Sequence, residues 1–208
     1  MTYSKFHGWN LLDKELRAYF PDYAYKGIML EIGAFEPIRL SNTFHFEQNG
    51  WDTYQFEANP KDIKLFDIRK NKCFNYAISN INKDNINFSV INSSGWTAGF
   101  SALTPTIPTY TNYPADIISV PVRTLDSFFQ KELIHLNNKI IDIITIDVEG
   151  GELDVLKGLN MQRIRPKLLC VEDHNFNNSS SELHKYIVNQ NYTFHKNNGL
   201  DSFYLSRD

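Results

Sequence analysis

The sequence predicts an α/β fold in which a mostly parallel sheet is covered by helices on both faces. Three observations predict it. Short apolar runs such as "GIMLEIG" (27–33) and "KLLCVED" (167–173) alternate with amphipathic stretches of helical length. These runs are almost continuously apolar, as strands buried on both faces are, rather than apolar on alternate residues. Glycine, proline or an acid stands at the end of several of them, where a parallel strand must give way to a crossover.

Taken in order, "LLDKELRAYF" (11–20) predicts an opening helix and "GIMLEIG" the first strand. "RLSNTFHFEQNG" (39–50) predicts a helix stopped at Gly50, and "DTYQFEANP" (52–60) a second strand broken at Pro60. "KDIKLFDIRKN" (61–71) predicts a helix with Ile63, Leu65, Phe66 and Ile68 inward, and "CFNYAIS" (73–79) a third strand. After a long irregular stretch, "DSFFQKELIHL" (126–136) reads as helix and "KIIDIITIDVEG" (139–150) as the fourth strand. "GELDVLKGL" (151–159) follows as a helix with Leu153, Leu156 and Leu159 inward, and "KLLCVED" as the fifth strand. "SELHKYIVNQNY" (181–192) predicts a last helix, and "YTFHKNNGLDSFYLS" (192–206) a hairpin turning at Asn198-Gly199.

The 208 residues, 42% of them hydrophobic, suit a single domain spanning 1–208. Asn92 to Asp116, with Pro105, Pro108 and Pro114, breaks the rhythm. A connection of that length in a compact domain is expected to be a lid or substrate loop, and Trp96, Phe100, Tyr110 and Tyr113 favour an ordered one. A net charge of −3 gives no electrostatic reason for nucleic-acid binding. Cys73 and Cys170 form neither a disulfide framework nor a thiolate metal motif and are expected in strand cores. No apolar run reaches membrane-spanning length and no signal-peptide block opens the chain, so a cytoplasmic protein is expected.

The loop after the first strand, "EIGAFEPIRLSNTF" (31–44), carries the functional signal. Gly33 permits close backbone approach at the switch point of an open sheet, where such folds bind ligands. A dinucleotide fingerprint needs further glycines against the pyrophosphate, and those places hold Ala34, Phe35, Glu36 and Pro37. A ligand with an adenosine and a cationic amino-acid tail needs no phosphate cradle and would welcome the Glu31 carboxylate. That ligand is S-adenosylmethionine. Glu57, at the end of the second strand with Ala58 behind it, is placed to accept hydrogen bonds from a ribose. Asn59 and Pro60 also read as N-cap and first residue of the next helix, which would give Glu57 a local role. The backbone of Tyr76, Ala77 and Ile78 is expected beside the adenine.

These blocks, with "RTLDSFF" (123–129), "IDIITIDVEGGELDVLKG" (141–158) and "NGLDSFYL" (198–205), resemble the FkbM family of S-adenosylmethionine-dependent methyltransferases. The resemblance runs from about Ile28 to Leu205, and D-V-E-G-x-E-x-x-V-L-x-G is its most specific part. It implies a class I methyltransferase fold, a Rossmann-like three-layer sandwich whose seven-stranded sheet has an antiparallel last strand. It also implies transfer to hydroxyls of sugars or natural products. It assigns Glu31 and Gly33 to the methionine side, Glu57 to the ribose and Asp147 to the strand end facing the methyl group. Where the family has a further glycine, this chain has Pro37.

Methyl transfer to an alcohol requires collinear oxygen, carbon and sulfur, and a group that takes the hydroxyl proton. Asp147 and Glu149 are expected at the ligand-binding edge, although acids near a helix start also complement its dipole. Glu152 and Asp154 are read in that second way. His174 follows Glu172 and Asp173 at the end of the fifth strand and titrates in the range a general base needs. Asp147 with Glu172 or Asp173 would also suit Mg2+. The function read from the sequence is O-methylation of a carbohydrate, glycoconjugate or small metabolite. Two rivals are a methyltransferase-fold binding module inactivated at Glu36 and Pro37, and an NAD-dependent oxidoreductase, which leaves "DVEGGELDVLKG" unexplained.

Overall fold

A computed structural model describes residues 5–71, 73–103, 114–176 and 181–207. In chain order it contains α1 (Leu12–Ala18), β1 (Ile28–Ile32), α2 (Phe44–Gln48), β2 (Asp52–Phe56), α3 (Pro60–Ile63), β3 (Cys73–Phe74), β4 (Ala77–Ile78) and β5 (Lys83–Ile91). Then come β6 (Ala102–Leu103), β7 (Ala115–Arg123), α4 (Leu125–Gln130), β8 (Ile143–Ile146), α5 (Glu152–Lys157), β9 (Leu168–Glu172), α6 (Glu182–Asn189), β10 (Tyr192–Asn197) and β11 (Asp201–Ser206).

The fold is α/β with mixed sheets. The main sheet has seven strands in the order β10-β11-β9-β8-β1-β2-β3. Within it β1 pairs in parallel with β2 and β8, β8 with β9, and β2 with β3, while β11 runs antiparallel to both β9 and β10. The chain leaves β1 toward β2 on one side and returns to β8 on the other, so the crevice for a ligand lies at the carboxyl ends of these strands.

Side-chain alternation divides the core. Leu30, Ile32, Ile144, Ile146, Leu169 and Val171 pack on one face against Leu125, Phe128 and Leu156. Met29, Ile143, Leu168 and Cys170 pack on the other against Leu12, Leu16, Phe46 and Trp51. All five residues of β1 are buried, as expected of a central parallel strand. Both cysteines are buried and free, in β3 and β9.

Three expectations are corrected, and two long strands were missed. The predicted third strand is two: β3 ends the main sheet, whereas β4 joins a second sheet of order β4-β7-β5-β6. The strands β5 and β7 were not read from the sequence, because Lys83–Asn85 and Ala115–Ile117 are exposed and polar or short in pattern, and only the strands' inner halves turn apolar. The helix expected over 61–71 is a turn of α-helix passing into a 3-10 helix at Lys64–Ile68, leaving Leu65 and Ile68 exposed. The helix expected from Arg39 begins only at Phe44, because Leu40 has φ +65° and the amides of Asn42 and Thr43 are held by Glu31.

Of the segment 92–116, the part before β7 carries a 3-10 helix at Gly95–Phe100 and the short β6, while Ala115 and Asp116 already belong to β7. Tyr110, Tyr113 and the side chain of Trp96 lie outside what is described. No helix among the described residues is long and apolar enough to cross a membrane.

Candidate functional site

The site begins where β1 and β8 end side by side. Gly33 has φ +85°, and a Cβ on it would lie 1.7 Å from the Asp147 carbonyl oxygen, so only glycine fits. The N–H groups of Gly33 and Ala34 both donate to the Phe56 carbonyl at 3.0 Å, which draws the loop against β2 as well. Over these strand ends opens a cavity of about 570 Å³. That volume lies within the roughly 300–1,000 Å³ usual for small-molecule sites.

One half of the wall comes from residues expected to hold the donor: Gly33, Ala34, Glu57, Ala58, Tyr76 and Ala77 all line the cavity. Glu57 is 8% exposed. Its Oε2 accepts from the Phe35 N–H at 2.8 Å and its Oε1 from the Asn59 N–H at 2.7 Å. Burial, with a contribution from Asp62, pushes its carboxyl up to about 7. Asn59 caps α3 by accepting from the Lys61 N–H, with Pro60 at the first helical position, the local role weighed for this turn.

Glu31 is the correction on this side. The two-residue period of β1 puts it on the Met29 face, away from the cavity lining. There its carboxylate accepts from the Asn42 and Thr43 N–H groups and from the Ser41 and Thr43 hydroxyls. Burial raises its pKa. It anchors the loop from behind. Arg69, fully buried, completes the brace: it pairs with Glu47 at 3.1 Å and donates to the Pro37 carbonyl at 2.6 Å and to Thr43 Oγ1 at 3.1 Å. Glu36 pairs with Arg39, and neither Glu36 nor Pro37 lines the cavity.

The other half of the wall is acidic. Asp147, Glu149, Glu172, His174 and Asp201 line it together, so the three residues expected to assist the chemistry share one site. The turn after β8 requires φ +58° at Glu149, and Gly150 follows with φ +101°. Glu152 Oε1 closes this turn by accepting from the Val148 and Gly150 N–H groups, the local role read for it. His174 Nε2 lies 3.0 Å from Glu172 Oε2 and 4.0 Å from Glu149 Oε2. The adjacent Glu172 carboxylate raises the His174 pKa against the opposing effect of burial. Asp147 is exposed on the cavity surface yet ringed by protein; the desolvation that this surround brings, and then the charges of Glu172, Glu149, Asp201 and Glu152, raise its carboxyl above the usual range.

Asp173, weighed as a cation ligand, is turned away: it accepts from the Ser181 hydroxyl at 2.5 Å and the Asn175 N–H at 3.1 Å. Asp201 was missed as a site residue. It opens β11 directly opposite Glu172, and burial followed by the Glu172 charge pushes it up to about 6. The available signal was its place just after the Asn198-Gly199 turn, at the same sheet edge as the end of β9. Ala98, Gly99, Phe100, Ser101 and Leu103 of the β5–β7 connection also line the cavity, and a Cβ on Gly99 would lie 3.7 Å from the Phe35 ring.

The family model described as the methyltransferase FkbM domain matches residues 31–194, which include both halves of the wall except Asp201. No curated protein matches the chain.

Proposed function

The chain belongs to the FkbM methyltransferase family, and from that premise we propose that it transfers a methyl group from S-adenosylmethionine to a hydroxyl of a carbohydrate, glycoconjugate or small metabolite. The main sheet's order, with β11 alone reversed, supports a class I methyltransferase fold acting as one domain. The observation that carries the donor reading is Glu57, a nearly buried carboxylate that reaches the cavity beside Gly33, Ala34, Ala58 and Tyr76. Such a carboxylate keeps lone pairs for two ribose hydroxyls while holding the loop that carries Gly33.

Bound there, S-adenosylmethionine supplies an electrophilic methyl on a positively charged sulfur. The chain's part is to orient and to take a proton. Gly33, Ala34 and Glu57 hold the donor; Ala98 to Leu103 exclude water on their side; the acidic wall receives the acceptor. The hydroxyl proton passes to the Asp147–His174 side, where Asp147 Oδ and His174 Nε2 are the acceptors. Among the described residues no Lys or Arg lines the cavity, so a cationic donor meets a wall whose acids are opposed only by His174. Against the inactive-module reading, Glu36 is neutralised by Arg39 and Pro37 lies outside the lining.

Hydrogen exchange with and without S-adenosylhomocysteine tests the reading. Protection is expected in 33–36 and 57–59; protection elsewhere alone, or none at saturating ligand, removes the donor from this cavity.

A further inference from the structure

The acidic wall contains an arrangement that hydroxyl deprotonation does not by itself require. Glu149, Glu172 and His174 each offer one ligand atom, and these atoms lie within 4.8 Å of one another. Each comes from a different constraint: Glu149 from the positive-φ turn after β8, Glu172 from the last residue of β9, His174 from the turn beyond it. The two carboxylates are 7% exposed.

A second observation is independent of that clustering. Glu172 Oε2 is sealed from solvent and has no hydrogen-bond partner. His174 Nε2 stands 3.0 Å from it at ion-pair distance, so that its neighbour is the imidazole rather than a hydrogen-bond donor of good geometry. A buried carboxylate oxygen left unsatisfied is costly, and native structures rarely keep one without a reason. Glu172 Oε2, His174 Nε2 and the Glu149 carboxylate lie close enough together to share one ion. Among the described residues no Lys or Arg lines the cavity to satisfy it.

We propose that Glu149, Glu172 and His174 form a divalent-cation site on the acidic wall, of the Mn2+ or Mg2+ class. Two carboxylate oxygens favour a hard ion, and the imidazole nitrogen favours Mn2+ over Mg2+. Three protein ligands leave positions open for water or an acceptor oxygen. A cation in the cavity that Asp147 also lines lowers the pKa of a hydroxyl brought to it, with His174 then a ligand and Asp147 the proton acceptor. That use rests on the methyl-transfer reading; the cation site does not.

The test is titration of the whole purified chain with Mn2+, the free ion being followed by electron paramagnetic resonance. One Mn2+ is expected per chain with Kd at or below about 1 mM. Mg2+ competes for it. Glu172→Gln, Glu149→Gln and His174→Ala each weaken binding at least about tenfold, with near-ultraviolet circular dichroism confirming that each variant is folded. Binding of S-adenosylhomocysteine is measured on the same samples. Absence of Mn2+ binding in a protein that binds this product overturns the cation site and leaves the methyltransferase reading standing. Equal Mn2+ affinity in wild type and all folded variants overturns it too. Mn2+ binding lost in the variants, in a chain that binds no S-adenosylhomocysteine, upholds the site and refutes the donor pocket.

Discussion

The Phe35 N–H donates to Glu57 Oε2 at 2.8 Å, so a single carboxylate at the end of β2 holds the loop that follows β1. On the proposed function, donor binding and loop geometry are therefore coupled through Glu57. Glu57→Gln keeps an acceptor for one amide but halves what remains for a ribose, and Glu57→Ala removes both. We expect S-adenosylhomocysteine affinity to fall stepwise across wild type, Gln and Ala, read by fluorescence or calorimetry, with the fold kept. Undiminished affinity in folded Glu57→Ala takes Glu57 out of the site.

The same residue makes binding depend on pH. Its carboxyl is raised to about 7 by burial, so between the ordinary glutamate range and pH 7 the folded chain holds a proton that the unfolded chain has released. The sign follows: this group's contribution to stability falls as pH rises from about 4.5 to about 7. Ribose hydroxyls donate to the carboxylate, so product binding should release a proton near pH 6 and strengthen toward pH 7.5. Calorimetry in buffers of different ionisation enthalpy reads that proton, and Glu57→Gln should abolish it. Proton release that persists in the variant assigns it elsewhere.

Gly33 is fixed by sterics on two counts, positive φ and the Asp147 carbonyl 1.7 Å from where a Cβ would stand. Gly33→Ala is expected to cost roughly 2–6 kcal/mol in denaturant unfolding, the sum of backbone strain and overpacking. A midpoint equal to wild type contradicts the close approach of β1 and β8.

Much of the architecture was legible because apolar runs of strand length alternate with helical ones, and β1, β8 and β9 carry no polar residue but Glu31, Thr145 and the terminal Glu172. The second sheet was not. Its strands are half exposed, and their identity is set by pairing between Lys83–Ile91 and Ala115–Arg123 across the connection, which no local pattern reveals. In the site, Gly33, Glu57, Asp147, Glu149 and His174 were readable as residues at strand ends. The orientation of Glu31 depended on which face its register chose, and Asp201 on an antiparallel strand placed beside β9.

Arg69 braces the donor loop from a fully buried position, paired with Glu47. Arg69→Met leaves the Glu47 charge unpaired and is expected to cost about 3–5 kcal/mol. Adding Glu47→Gln should restore part of that loss. If the double variant is no more stable than the single one, the ion pair is not what the mutation disrupts.

His174→Ala should slow transfer by about 100-fold or more once an acceptor is in hand, whether His174 takes the hydroxyl proton itself or holds the cation that acidifies that hydroxyl. Its S-adenosylhomocysteine affinity should stay near wild type. Wild-type turnover in the variant rejects His174 from the chemistry.

The central claim is that the cavity over β1, β2 and β8 is a methyl-donor site. Calorimetric titration of the purified chain with S-adenosylmethionine and S-adenosylhomocysteine, with NAD as control, tests it most directly. The account predicts binding of the first two at one site per chain and none of NAD. A folded sample that binds neither, or that binds NAD instead, contradicts it.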